Sequence, residues 1–522
     1  MKQKLCKMED AIRKYVKDGD WVALPGFGKC TLGAELTDTL EKSFLETGHP
    51  RDLGVISGGG NVCLNHFAHD GMVKRVLVGH YGPSPDMCKL VSDNKCLSWN
   101  IPQGLIGHLL RAGACGEDYL ITKVGLGTYV DPRLEGAKMN DVTDEEIVEL
   151  VDVAGEEYLR YKVPKVNVCI LRGTYADEFG NVSFKDEMFL SYTRYAAMCC
   201  KAQGGKVIVE CREYVKNGSI PAKEVDVPGV LVDAVCMISD PIKYYGTTMK
   251  VVHSDALLGN VRIPLDNDSF AIPLNERKVI GRRAAYELVP NAVVNIGIGM
   301  PEAVSAVVGE EGCSDDMTLS VEAGTIGGAA APNEKFGTQV NPQAIWEEDI
   351  QFDYYHAGLL DVTFLGLAQI NATGDVNVSK FGPVVTGSGG FIDIITSTPV
   401  IVFCGTFTAG GLQVEVKDNK LVILQEGKKK KFKKDLLQVT FSGPRALANG
   451  QKVLFVTERA VFELTEAGLT LKEIAPGVDL EKDILGQMEF KPVIAEDLKI
   501  MDAKIFGEGK IGLKEMLDTK RD

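Results

Sequence analysis

Trp21-Val-Ala-Leu-Pro-Gly-Phe-Gly28 is an apolar run ending in a glycine turn, and Val294-Asn-Ile-Gly-Ile-Gly299 repeats that arrangement in the second half of the chain. Each follows a helix-like stretch. Met8, Ala11, Ile12, Tyr15 and Val16 recur at helical spacing before the first, and a helix is predicted from about Arg277 before the second. Helix, strand and glycine turn in succession are the parts of an α/β unit. A second echo pairs Ala176-Asp-Glu-Phe-Gly-Asn-Val182 with Ile370-Asn-Ala-Thr-Gly-Asp-Val376, where a polar turn around a glycine feeds a strand. From Gly26 to Gly297 the offset is 271 residues, and from Gly180 to Gly374 it is 194, so the first half holds about 77 extra residues. Further β-rich runs at 166–171, 206–209, 361–365 and 400–404 alternate with helical stretches. Strands this apolar belong in mainly parallel sheets with helices on both faces. A capping box at Thr143 and Glu146, ahead of Ile147, Val148, Leu150 and Val151, predicts one more helix. The polar, proline-containing stretch 264–273 marks the boundary between two α/β domains, 1–268 and 275–522.

At 522 residues, 45% apolar and 25% charged, the composition is that of a globular chain and excludes a disordered or collagen-like one. The 57 basic and 72 acidic residues leave a net charge of −15, which argues against nucleic acid or an anionic membrane as a partner. Any anionic ligand must therefore be held locally. The first twenty residues carry charges throughout, and no apolar stretch is long enough to span a bilayer. Thirteen scattered cysteines without a C-x-x-C pair fit small buried side chains in a reducing compartment, so the cytoplasm is expected.

The glycine turns are not nucleotide motifs. Gly26-Phe-Gly28 has its third glycine, Gly33, two positions late for a dinucleotide fingerprint, and Gly297-Ile-Gly299 has none. Neither a P-loop nor a G-x-S-x-G elbow occurs. Cys63, His66 and His69 share a spacing of three but lack a fourth ligand, so no metal is predicted. His356, beside Tyr354 and Tyr355, reads as a structural imidazole on a turn between strands. Lys428 to Lys431, with Lys433 and Lys434, reads as a solvated loop edge or a contact for an anionic ligand tail. More informative is Met317-Thr-Leu-Ser-Val-Glu-Ala-Gly-Thr-Ile-Gly-Gly328, in which a strand ends in one carboxylate, Glu322, and enters a glycine-rich turn. Small neighbours leave that carboxylate open to an acyl group, and desolvation makes it a stronger nucleophile; a cap or an arginine partner would use the same position. Downstream, Gly387-Ser-Gly-Gly390 is a turn able to aim backbone amides at an oxyanion, or simply a tight turn needing positive φ.

Ser320-Val-Glu-Ala-Gly-Thr-Ile-Gly-Gly328, Gly387-Ser-Gly-Gly390 and Asn100-Ile-Pro-Gln-Gly104 together resemble the family I coenzyme A transferases, in the acetate and propionate CoA-transferase subgroup. The likeness continues through Gly125-Leu-Gly-Thr-Tyr-Val-Asp-Pro-Arg133, Arg172-Gly-Thr-Tyr-Ala-Asp177, Phe403-Cys-Gly-Thr-Phe-Thr-Ala-Gly-Gly411, Thr457-Glu-Arg-Ala-Val-Phe462 and Glu473-Ile-Ala-Pro-Gly-Val-Asp479. It implies two related open α/β domains with the active site between them, and ping-pong transfer through a glutamyl-CoA thioester on Glu322. It also implies that Gln103 positions the acyl group, that Gly389 and Gly390 supply oxyanion amides, and that Gly387, Ser388, Gly405 and Gly410 belong to the CoA site. The implied partners are acyl-CoA and short-chain carboxylates, with CoA a substrate and no separate cofactor, in a homo-oligomer of two or four chains. An acyl-CoA hydrolase or a non-catalytic CoA-binding protein are the competing readings. Two departures bear on acyl preference. The loop Gly58-Gly-Gly-Asn-Val-Cys-Leu-Asn-His66 is shortened, and His356-Ala-Gly-Leu-Leu-Asp361 replaces two of the family's glycines with Ala357 and Leu359, which would narrow an acyl pocket if the turn lined it.

Overall fold

A computed structural model describes residues 4–248, 251–264, 271–330 and 337–520. The core of the expected boundary, 265–270, lies outside the described residues. Seven strands of the first half, β1 (Trp21–Ala23), β2 (Leu53–Ser57), β3 (Val73–Val78), β4 (Leu97–Asn100), β5 (Val168–Asp177), β6 (Lys206–Val215) and β7 (Ala234–Met237), form a sheet in the order β7-β6-β5-β1-β2-β3-β4. All of these pairings are parallel. The second half builds its sheet around β8 (Ala292–Ile296), β9 (Met317–Ser320), β10 (Val362–Gly366), β11 (Val400–Cys404) and β12 (Lys452–Val456), parallel in the order β9-β8-β10-β11-β12. Strands at 460–465 and 468–474 extend it antiparallel beyond β12.

The two sheets repeat one plan. β1 lies between β2 and β5 as β8 lies between β9 and β10, and β5 and β6 begin 194 residues before β10 and β11, at Val168 and Val362 and at Lys206 and Val400. The polar turns match as well. Asp177 accepts the N–H groups of Phe179 and Asn181, and Asn371 accepts those of Thr373 and Asp375. Gly229 then packs on Phe179 and donates to Asn181, while Gly443 packs on Thr373 and donates to Asp375. At both contacts an added Cβ would collide with a backbone carbonyl.

Central strands such as β2 are buried along their whole length, as a parallel sheet covered on both faces requires. Helix α1 (Met8–Tyr15) turns Met8, Ala11 and Ile12 into the core, the face expected from its periodicity. The helix predicted from Thr143 does not form. Residues 148–153 pair instead with 156–162 in a hairpin that turns through Ala154 and Gly155, both at positive φ. Thr143 accepts the Ser98 N–H at 2.8 Å and donates to Asn140, so the hydroxyl read as a cap pins the chain to β4. The β-branched run pairs across strands, and that tertiary pairing overrides the local cap signal. His356 is likewise not on a turn; it ends a helix, 348–356. Among the described residues no helix is long and apolar enough to cross a membrane.

Candidate active site

In parallel α/β sheets, ligands collect beyond the carboxyl ends of the strands, where the connecting loops leave a crevice. Here the carboxyl-end loops of both sheets meet. Gly79, after β3, accepts the Gly389 N–H at 2.7 Å; Tyr81 N–H donates to Thr386 O at 2.8 Å; Gln103 N–H donates to Gly389 O at 3.0 Å. Asn100, the last residue of β4, accepts the Ser388 N–H at 3.0 Å and the Tyr129 hydroxyl. Helix α2 (Gln103–Ala114) begins at this seam, and Gly104 N–H donates to the buried carboxylate of Asp393. Gly387 sits at φ +77° with no room for a Cβ between Asn100 and Gly79, so only glycine lets the turn close on the first half.

Glu322 stands two residues beyond β9, at the carboxyl end of its sheet. Its loop is tight: Val321 N–H donates to Thr325 O and Gly324 N–H to Val321 O, both at 2.9 Å. Gly324, at φ +111°, lies against Trp346 O where a Cβ would collide. Glu322 is half-buried as a residue, burial by surrounding atoms raises its pKa, and the charge of Asp393 adds to the rise; the Asn295 amide pulls the other way by hydrogen bonding the charged form. A partly desolvated, oriented carboxylate is a better nucleophile than one in water. Helix α3 (Glu348–His356) and helix α4 (Phe391–Ser397) pack beside it.

The positions expected from sequence fall into two groups. Gln103, Gly387, Ser388, Gly389 and Gly390 gather on the Glu322 side, and a methyl group on Gly390 would lie 3.6 Å from Glu322 Cβ. The Gly389 N–H, expected as an oxyanion donor, is bonded to Gly79 O. Ser388 and Gly387 amides are spent on Asn100 and Ser379. Among the described residues the Gly390 N–H has no protein acceptor, which makes it the amide open to an oxyanion. Gln103 is buried and donates one amide N–H to Glu348 at 2.7 Å, leaving the other for a ligand. Gly405 and Gly410 lie apart, beyond β11, in contact with Lys431 and with Lys428 and Lys429. Nor is the lysine run merely a solvated edge. Lys431 Nζ is enclosed, donates to Leu367 O at 2.9 Å and has its pKa pushed down to about 8 by burial. Lys430 and Lys433 bond to Gly486 and Glu489.

A family model of coenzyme A transferase matches residues 6–237. The acetate CoA-transferase YdiF of Escherichia coli strain K12 is 40% identical over 506 residues, which cover 95% of this chain and 94% of the relative. This chain belongs to the coenzyme A transferase family. The caffeate CoA-transferase of Acetobacterium woodii is 42% identical over 514 residues, covering 97% of the present transferase and 98% of that one. A crystal structure of the acyl-CoA transferase YdiF from E. coli O157:H7, in thioester complex with CoA, matches with a TM-score of 0.90 at 39% identity, covering 98% of this chain and 97% of that one. The resemblance carried by the glycine motifs is borne out, and so is the α/β fold.

What the motifs did not reveal in this transferase is α3. At helical spacing it presents Glu348, Gln351, Phe352 and Tyr355 to the crevice and its supports. Glu348 is buried, accepts hydrogen bonds from Gln103 and from Ser191 at 2.8 Å, and is pushed up to about 8 by burial, with Asp349 and Glu322 adding repulsion. Burial thus favours its protonated form, and a protonated Glu348 limits the negative charge around Glu322. Asp349, next to it, is pushed up to about 6 by burial. Phe352 packs against Gly390 and Gly104, and Tyr355 hydroxyl meets Ser320 Oγ at 3.1 Å. His356 donates or accepts at Asp393, 3.0 Å away, a structural contact as expected. Leu359 is 52% exposed, so the turn that carries it points its larger side chain into solvent and does not narrow a pocket. Away from the crevice, Asp38, Glu41 and His66 bring ligand atoms within 4.8 Å of one another. Glu41 already bridges His66 and His69, and Asp38 holds Lys42 and Tyr244, so the cluster is satisfied by protein groups. Cys63 is buried and is not among the clustered ligand groups.

Proposed function

We propose that this transferase moves CoA between short-chain carboxylic acids, acetate with propionyl-CoA, butyryl-CoA or a related donor, with Glu322 as the nucleophile. The supporting observation is the position of Glu322 at a strand end, with Gly390 beside its Cβ and the Gln103 backbone joined to the same glycine turn at Gly389. A Glu322 oxygen attacks the thioester carbonyl; the C–S bond breaks, leaving an acyl-glutamyl anhydride and CoA thiolate. The thiolate then attacks the glutamyl carbonyl, the anhydride C–O bond breaks, and the first carboxylate departs from a glutamyl-CoA thioester. An incoming carboxylate runs these steps in reverse. One thioester replaces another, so no ATP, metal or redox group enters the scheme. An amide at the oxyanion contributes about 3 kcal/mol to lowering such a barrier. Lys431 and the Gly405 and Gly410 turns are assigned to the anionic CoA tail, which an acidic protein must hold with local donors. The reading includes domains 1–268 and 275–522 and a cytoplasmic dimer or tetramer.

Initial rates with acetyl-CoA and propionate test it. Propionyl-CoA and acetate should form in equal amounts, with parallel double-reciprocal lines. CoA release at a comparable rate without any carboxylate would instead favour a hydrolase, and turnover of neither kind a non-catalytic binding protein.

A further inference from the structure

A cavity of about 410 Å³ lies at the end of the second sheet opposite to Glu322. Its walls include Pro399, which leads into β11, Gln451, which leads into β12, and the C-terminal turn of α4; the other side is the Lys123–Thr128 stretch of the first half. The volume falls within the range of small-molecule sites, about 300–1,000 Å³. Its charge is unlike that of the rest of the protein. In a chain of net charge −15, Lys123 and Arg445 line the cavity, and among the described residues no carboxylate does. Among the described residues, the Arg445 guanidinium has no acceptor. Lys123 reaches away to the exposed Glu156 and lies 5.0 Å from the Tyr158 ring, a surface pairing weak enough to be exchanged. An apolar part of the lining, its floor, is formed by Ile392, Ile395 and Phe441.

An unpartnered guanidinium sharing a cavity with an apolar floor matches a carboxylate with a hydrocarbon body: the planar fork takes the two oxygens and the floor takes the rest. The walls also run into the reaction crevice. Thr128 precedes Tyr129, whose hydroxyl donates to Asn100 and to Ser388 Oγ at 3.1 Å, and α4, which forms one wall, is capped at its other end by Gly390. We propose that this cavity is a second binding site, for a small organic carboxylate with an apolar body, and that its occupancy alters transfer through Tyr129 and α4.

The test is a 19F NMR titration of the full chain with 4-fluorobenzoate, on wild type, Arg445→Leu, Arg445→Lys and Glu322→Ala. Saturable binding is expected in wild type and Glu322→Ala, weakened about tenfold or more in Arg445→Leu and less in Arg445→Lys. Without the probe, transfer by Arg445→Leu should match wild type; with it, kcat or KM should change in wild type, change less in Arg445→Lys, and stay constant in Arg445→Leu. Binding that survives Arg445→Leu unchanged, or that is lost in Glu322→Ala, would put the probe elsewhere and overturn the site. Displacement by inorganic phosphate at equal concentration would overturn the role of the apolar floor. Saturation without any kinetic change would overturn the coupling.

Discussion

Replacing Glu348 by glutamine isolates the cost of ionising one buried carboxyl. In the folded chain this group is 1% exposed and pushed up to about 8, chiefly by burial, against an ordinary value of 4.5. With the folded-state pKa raised, its contribution to stability is complete below the unfolded value and is lost as pH rises through the folded one. Between pH 5.5 and 7.5 the unfolded chain carries an ionised Glu348 while the folded chain keeps the proton. Wild type therefore loses about 1.4 kcal/mol per pH unit from this group, about 2–3 kcal/mol over the interval. Glutamine has nearly the same volume and no titration. Its carbonyl accepts from Gln103, and its amide donates to Ser191 Oγ, which turns its own proton elsewhere. Equilibrium urea unfolding of both proteins at pH 5.5 and 7.5 measures the difference, and titrations common to the two cancel. Glu348→Gln should gain about 2–3 kcal/mol on wild type between the two pH values. A stability difference that stays flat across this interval would refute a neutral Glu348 and, with it, the argument that the crevice limits its own negative charge.

Asn295→Ala removes the hydrogen bond that favours the Glu322 carboxylate, so the Glu322 pKa rises and the acid limb of kcat/KM should move to higher pH; an unmoved limb contradicts that contact. Gly390→Ala places a methyl 3.0 Å from the Phe352 ring and 3.6 Å from Glu322 Cβ, and transfer should fall about tenfold to a hundredfold with little change in melting temperature. Wild-type rates in that variant would remove Gly390 from the oxyanion site. Arg459 is fully buried between Glu458 and Glu426, so Arg459→Leu leaves uncompensated charge and should cost about 3–5 kcal/mol in urea unfolding.

The parts of the fold visible in the sequence are those in which neighbours along the chain are also neighbours in the structure. The strand-and-glycine runs at 21–28 and 294–299, and the polar turns at Gly180 and Gly374, carry their geometry in a few consecutive residues, so the repeat could be read directly. The strand-end position of Glu322 was legible for the same reason, because its glycine-rich loop needs conformations that Gly324 supplies locally. Thr143 shows the converse. Its capping signal was real as chemistry, but Ser98 took the hydroxyl. Gly389 was read as a donor, yet Gly79, from the other half of the chain, uses its amide, and no local pattern records such a partner. Glu348 escaped notice because its meaning comes from Gln103 and Ser191, both distant in sequence, and because 348–356 lacks a strong apolar stripe.

Peptide mass spectrometry after incubation with acetyl-CoA tests the central claim most directly. With no acceptor present, digestion should yield the Glu322 peptide carrying CoA, or its hydroxylamine or borohydride derivative, and the adduct should vanish on addition of propionate as propionyl-CoA forms. Glu322→Gln should give no adduct and almost no transfer while remaining folded. Rapid transfer with no adduct at Glu322, or an adduct at another residue that propionate resolves, would contradict the account.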